Sequence, residues 1–367
     1  MKIVIVGAGV AGLSIGWRLR QAGAEVTILE RAEPGKGATW ASAGMIAASA
    51  ELGHHETAES EFARRSSGLW PIFAAEVEQA TNVDIHYGQT GSLIVARDAD
   101  EAAKAQARVA HDSEVSWLDR SAARAMEPML TGDFVGALWA PGEANVDSRA
   151  LGRALTRAFV RAGGTLSATE AAYRLEVDEG RALAIKSPFK TYEADAFIIA
   201  AGAWSGQMFG LPEELAAVKP VKGEMIALEP PGSSPVPAHV IWGNAVYLVP
   251  RRNTLLVGAT SVEAGFDTNV TDAARDFLRS HAETLLPGLA EWEQADHWAG
   301  LRPGSPDGMP LLGPTTVDRL YAATGQYRNG ILFAPAIADA VSKLVLDGKV
   351  PAEIAAFDPR RFAKRAV

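Results

Sequence analysis

The sequence predicts an α/β protein of two interleaved domains, one of them built on a parallel sheet. Three observations carry this. The chain opens with a strand, a glycine-rich turn, a helix and a second strand within its first thirty residues, the unit from which parallel sheets are assembled. Elements of the same kind return near the other end, with mixed helices and strands between. No Pro/Gly/Ser-rich linker separates the two regions, so each domain is expected to be discontinuous.

Element by element, residues 2–6 are an uninterrupted apolar run and read as a buried strand. A helical pattern follows from Val10 to Gln21, with Gly23 as its stop, and residues 25–30 form the second strand. Residues 58–80 and 99–112 read as helices, 91–96 and 115–118 as strands. Asp147 can cap a helix that runs to about Ala162 and stops at Gly163–Gly164. Strands are expected at 174–177, 182–187 and 197–201. Residues 212–237 carry several prolines and read as loop and short strand. Residues 246–250 and 254–259 read as paired strands around a turn in which Arg251 and Arg252 are solvated. A helix at 271–286, a strand near 320–324 and a helix from about Gly330 to Leu346 complete the chain.

The 367 residues correspond to about two domains at roughly 150 residues each. With 48% hydrophobic and 22% charged residues the composition is globular, which excludes a disordered chain. Lys plus Arg number 35 against 44 Asp plus Glu, a net charge of −9. That balance lacks the basic footprint of a nucleic-acid binder and is repelled by anionic membranes. The absence of cysteine excludes disulfides, iron–sulfur clusters, thiolate zinc sites, a cysteine nucleophile and a flavin tethered through sulfur. No apolar run reaches the length of a membrane-spanning helix. The N-terminus is not read as a signal peptide, because Lys2 is its only basic residue and glycines 7, 9 and 12 break the apolar stretch. The seven histidines form no metal constellation, and the adjacent His54–His55 pair reads as a solvated loop.

The strongest motif is Gly7-x-Gly9-x-x-Gly12 between the first strand and the first helix. The first glycine permits a tight turn, the second lets backbone approach a pyrophosphate, and the third lets helix and strand pack closely. Amides at the helix N-terminus then face the phosphates. Glu30, 18 residues after Gly12, can accept hydrogen bonds from a ribose diol and would repel a 2′-phosphate. This is a dinucleotide site; spacing alone leaves FAD and NAD open.

Further motifs follow in order: Ser42-Ala43-Gly44-Met45, FIIAAGAWS (197–205), PVKGE (220–224), VYLVPRR (246–252), WAGLRPGSPDG (298–308) and GQYRNGILFAP (325–335). Over nearly its whole length the chain thereby resembles the FAD-dependent amine and amino-acid oxidases of the D-amino-acid oxidase superfamily, nearest to the glycine oxidases that serve thiazole synthesis in thiamine formation. The resemblance implies FAD as cofactor. It implies a doubly wound, Rossmann-type FAD domain from residues 1–45, 144–215 and 315–367, interleaved with an α+β substrate domain from 46–143 and 216–314 that carries a mixed antiparallel sheet. It places Val10 and Ala11 at the pyrophosphate, Glu30 and Arg31 at the ribose, and Ala171 at the adenine. Ala38, Thr39, Ala43, Gly44 and Met45 would lie along the flavin. Gly202 and Trp204, in FIIAAGAWS, belong to the same cofactor set. The stretch Gln326, Tyr327, Arg328, Asn329, Gly330, Ile331 and Leu332 would wrap the isoalloxazine, with the helix that follows aiming its amides at the charge of a reduced flavin.

On the substrate side the resemblance makes Arg302 the carboxylate-binding arginine. A guanidinium holds a carboxylate through two parallel hydrogen bonds, which fixes orientation as well as charge. Taken alone, Arg302 reads as a surface arginine paired with Asp307. Tyr247, on one strand face with Val249, is a candidate second hydrogen-bond donor to the same carboxylate, the alternative being a tyrosine packed in a sheet, and Arg328 is a further candidate beside substrate and flavin. Some glycine oxidases carry a histidine where this chain has a position near Asn244. The reaction implied is oxidative deamination of glycine or a small amino acid, by hydride transfer from the α-carbon, to an oxo acid, ammonia and hydrogen peroxide. Secondary amines of the sarcosine or proline type, D-amino acids, and a dehydrogenase with another acceptor stay open as alternatives. So does an FAD-bound structural subunit of a larger amine-oxidising complex. The partners implied are a small amine substrate, oxygen and further copies of the chain in a cytoplasmic homo-oligomer, a tetramer; no nucleic acid or membrane is expected.

Overall fold

The computed structural model describes residues 1–52, 57–232 and 234–363; His54 and His55 lie outside them. A six-stranded sheet runs in the order Leu311–Pro314, Leu320–Thr324, Ala196–Ile199, Lys2–Val6, Glu25–Leu29, Thr165–Ser167. All its pairs are parallel except the first. After Lys2–Val6 the chain adds strands first on one side (Glu25–Leu29, Thr165–Ser167) and later on the other (Ala196–Ile199, then Leu320–Thr324 and Leu311–Pro314), so a crevice opens at the carboxyl ends of Lys2–Val6 and Ala196–Ile199. Open α/β sheets bind ligands at such a switch point.

Helices Val10–Gln21, Ser148–Arg161, Ala334–Asp347 and Ala58–Thr81 cover one face of this sheet. The last of them falls within the stretch 46–143 expected of the substrate domain, yet its Phe62, Trp70, Phe73 and Val77 share a core with Leu13, Ile15 and Phe159. Each such fully buried side chain contributes about 1.5–3 kcal/mol. Helix starts are fixed locally. The Asp147 carboxylate accepts from the Ala150 amide, and Thr57 and Ser60 form a reciprocal capping box. The other face carries the three-stranded antiparallel sheet Arg174–Asp178, Arg181–Lys186, Thr191–Glu193, whose Leu175 and Ile185 pack on Val4 and Phe197.

The second large sheet has eight strands, in the order Glu293–Gly304, Lys219–Glu229, Thr254–Gly258, Tyr247–Arg251, Val240–Trp242, Ser92–Ala96, Gly136–Ala140, Ser116–Asp119. It is antiparallel apart from the pair of Val240–Trp242 with Ser92–Ala96, a mixed sheet as expected. Helix Asp272–Leu285 covers one face, burying Ile226, Leu248, Val257 and Leu278. The opposite face, with Met225, Tyr247, Val249 and Trp298, packs on Ala41, Ala43 and Ala47. Strand alternation therefore turns Tyr247 and Leu248 to opposite sides.

Two expectations need correction. The stretch 212–237 is not loop and short strand. Its Lys219–Glu229 is an eleven-residue strand that pairs along its whole length with Glu293–Gly304, unforeseen in the sequence. Pro220 sits near its start, where a missing amide costs little. The last helix begins at Ala334, four residues beyond Gly330, and residues 327–333 are turns leading into it. Among the described residues no helix is long and apolar enough to cross a membrane.

Candidate active site

A cavity of about 850 Å³ runs from the glycine turn to the inner face of the eight-stranded sheet. It is lined by every residue singled out above for cofactor or substrate except Gly12. The glycines explain their own presence. Gly7 has φ +106°, and a Cβ there would collide with the Ala200 backbone. A Cβ on Gly12 would collide with the Gly7 carbonyl, so Gly12 packs helix against turn. Gly9 meets nothing closer than Thr39 Oγ1 at 3.4 Å and faces open space. The Glu30 carboxylate is fixed at the rim by the amides of Ala8 (2.8 Å) and Ala32 (3.0 Å). The Val10 amide donates to Thr39 Oγ1 at 2.9 Å. The Arg31 guanidinium stacks on Trp204, 3.5 Å from the ring centroid, and Trp204 stacks in turn on Phe266.

The segment 41–43 that lines the cavity is held from behind. Trp298 Nε1 donates to the Ala41 carbonyl at 3.0 Å and Ser148 Oγ to the Ser42 carbonyl at 2.7 Å. Arg251 donates to the carbonyls of Ala43 and Val146 and to Asn145 Oδ1. This corrects the solvated reading of Arg251; Arg252, three-quarters exposed, fits it. Arg251 shares its strand face with Tyr247 and Val249, and that face is buried. Burial lowers its guanidinium to about 10. The turn at 326–333 is anchored by Ser66 Oγ and Trp70 Nε1, which both donate to the Leu332 carbonyl. The amides of Gly330, Ile331 and Leu332 donate to no other described residue. They are free to meet an acceptor in the cavity.

At the far end, Arg302 lies over strand Lys219–Glu229. A Cβ at Gly223 would sit 2.5 Å from Arg302 Cζ, so only glycine admits the guanidinium there. Arg302 Nη1 donates to the Thr260 carbonyl at 3.0 Å. Asp307 pairs instead with Arg361 at 2.8 Å, which removes the surface-pair reading of Arg302. Tyr247 is buried, and burial pushes its phenol up while Arg302 opposes the shift. Arg328 is not open to a ligand alone: its Nε is 3.1 Å from Glu51. Asn244 is exposed and away from the cavity.

Glu51 is the residue that sequence reasoning missed. It lies in the short helix Ala48–Leu52, and its partner is 277 positions away. Burial raises its carboxyl, and Arg328 opposes this. Behind it, Glu143 accepts from the Ala50 amide at 2.6 Å, and burial pushes the Glu143 carboxyl up to about 7. Among the described residues no group of three or more acidic or histidine side chains could hold a metal ion.

A switch-point crevice with a glycine cradle, and with amides along one wall that donate to no other described residue, has the build of a dinucleotide site. The chain belongs to the FAD dependent oxidoreductase family, whose sequence model matches residues 2–344. FAD is its cofactor, and the open face of Gly9 and the unpartnered amides at 330–332 fit that group. The chain is similar to glycine oxidase of Pseudomonas aeruginosa, 34% identical over 95% of this chain and 96% of that one. The crystal structure of glycine oxidase from Geobacillus kaustophilus superposes with a TM-score of 0.91 at 30% identity, covering 100% and 99% of the two chains. The bifunctional protein ThiO/ThiG of Synechocystis sp. is 34% identical over 98% of this chain. This chain spans about half the length of such bifunctional relatives, 54% in that case.

Proposed function

We propose that the chain oxidatively deaminates glycine or a similarly small amino acid, with oxygen as acceptor, giving an oxo acid, ammonia and hydrogen peroxide. The observation that carries this is Arg302, a guanidinium that forms no ion pair among the described residues, laid on the bare backbone of Gly223 inside the cavity. Likeness to glycine oxidases along nearly the full chain supports it. On that likeness alone we add a cytoplasmic homo-oligomer serving thiamine formation, and the division of the chain into FAD and substrate domains.

Bound FAD supplies the acceptor for a hydride from the substrate's α-carbon. Gly7, Gly9, Val10 and Ala11 would hold its pyrophosphate, Glu30 and Arg31 its ribose, and Ala171 its adenine. Ala38, Thr39, Ala43–Met45 and the turn Gln326–Leu332 would hold the flavin. Arg302 receives the substrate carboxylate as a two-pronged donor. The Tyr247 hydroxyl, kept protonated by burial, donates to the same group. Two fixed points on the carboxylate orient the α-carbon, and orientation supplies much of the rate. Met225 and the Tyr247 ring close the wall behind the substrate against water.

Arg302→Leu tests the reading. Losing two charge-assisted hydrogen bonds costs about 3–5 kcal/mol, roughly a hundredfold to five-thousandfold in KM. The flavin absorption should be retained, because Arg302 is remote from the glycine turn. Unchanged kinetics in this variant would refute the assignment.

A further inference from the structure

Among the described residues, Arg302, Arg328 and Glu51 line the substrate end of the cavity, two arginines and one carboxylate that are unequally matched. Arg328 is paired with Glu51 through two contacts, Nε to Oε2 at 3.1 Å and Nη2 to Oε1 at 3.3 Å. Arg302 meets the Thr260 carbonyl and the Tyr247 hydroxyl and, among the described residues, forms no ion pair. The Glu51 side chain is 11% exposed, so water screens it little. Glu143 and the Ala50 amide fix the helix that carries it. Tyr247, Arg302, Arg328 and Glu51 line the same cavity. Among the described residues at this end the formal charge is one positive, the complement of a single carboxylate.

We propose that Glu51 is a specificity-determining residue: by occupying Arg328 it restricts the site to amines with one carboxylate and rejects those with a second anionic group. This rests on the amino-acid-oxidising function proposed above. A substrate carboxylate on Arg302 leaves a second anion with Arg328 as its nearest cation. That cation is already neutralised, and the Glu51 carboxylate repels the newcomer. With Glu51 uncharged, Arg328 becomes a second anion site.

Sarcosine and iminodiacetate share a skeleton and differ by one carboxylate. Their carbon isosteres butyrate and glutarate carry no amine and cannot be oxidised. The holoenzyme and Glu51→Gln are compared on both pairs, with Glu51→Ser as a second variant should glutamine perturb the helix. The expected result is a rise of about tenfold to a hundredfold in the iminodiacetate-to-sarcosine ratio of kcat/KM, the worth of one charge-assisted hydrogen bond. The glutarate-to-butyrate ratio of binding constants, read from the flavin absorption, should rise equally. Adding Arg328→Met should abolish both gains. Unchanged or lowered ratios in both variants overturn the proposal. If no amine is turned over, the oxidase reading fails, while the isostere titration still decides the role of Glu51.

Discussion

Gly223 gives the sharpest handle on how the strand pairing builds the site. Strand Lys219–Glu229 carries no side chain at 223, and the Arg302 guanidinium occupies that space. In Gly223→Ala the new methyl would begin 2.5 Å from Arg302 Cζ and closer still to both terminal nitrogens. Ordinary carbon contacts lie near 3.5–4.0 Å, so the guanidinium must retreat by about 1 Å or more. A misplacement of that size costs on the order of a hundredfold in kcat/KM. The obstructed atoms are the end of a flexible side chain, and the φ of Gly223 is ordinary, so stability should change by less than ~1 kcal/mol. Steady-state kinetics with glycine, together with a thermal melt and the flavin-to-protein ratio, separate the two effects. Parent-like kcat/KM in a folded, flavin-loaded Gly223→Ala protein would refute the placement of Arg302 as the carboxylate holder. A collapse in stability would refute the claim that only the side chain moves.

Glu143→Gln should remove a pH-dependent cost. Folding raises this carboxyl from 4.5 to about 7. Its burial is therefore free below pH 4.5, costs progressively more up to 7, and costs roughly 3 kcal/mol above that. Denaturant midpoints should show the variant gaining on the parent between pH 5 and pH 8; an equal difference at both would contradict the assignment. Arg251→Met removes buried charge-assisted bonds to Ala43, Val146 and Asn145. It should cost at least ~3 kcal/mol and weaken FAD retention, measured by flavin release on dilution; a stable variant with normal flavin content would show that the segment 43–45 does not depend on it.

Much of the cofactor half was legible because its signals are local. The turn Gly7–Gly12, helix Val10–Gln21 and the Asp147 cap each follow from neighbouring residues. The half built on the eight-stranded sheet was less so. Strand Glu293–Gly304 begins with four exposed polar or small residues, and its identity comes from pairing with a strand more than sixty positions earlier. Arg251 and Arg252 are adjacent and chemically equal, yet only the first lies on the buried face of its strand. A reading of Tyr247, Val249 and Arg251 as one alternating set would have found it. Glu51 had no local signal, since its meaning arises from Arg328 across the folded chain.

The most direct test of the proposed function is anaerobic mixing of the flavin-loaded protein with glycine while the visible flavin band is followed. Bleaching by glycine, reversed with hydrogen peroxide formation when oxygen is readmitted, is the expected result. A band that stays unbleached at high glycine would contradict glycine as substrate, and reoxidation without peroxide would contradict oxygen as acceptor.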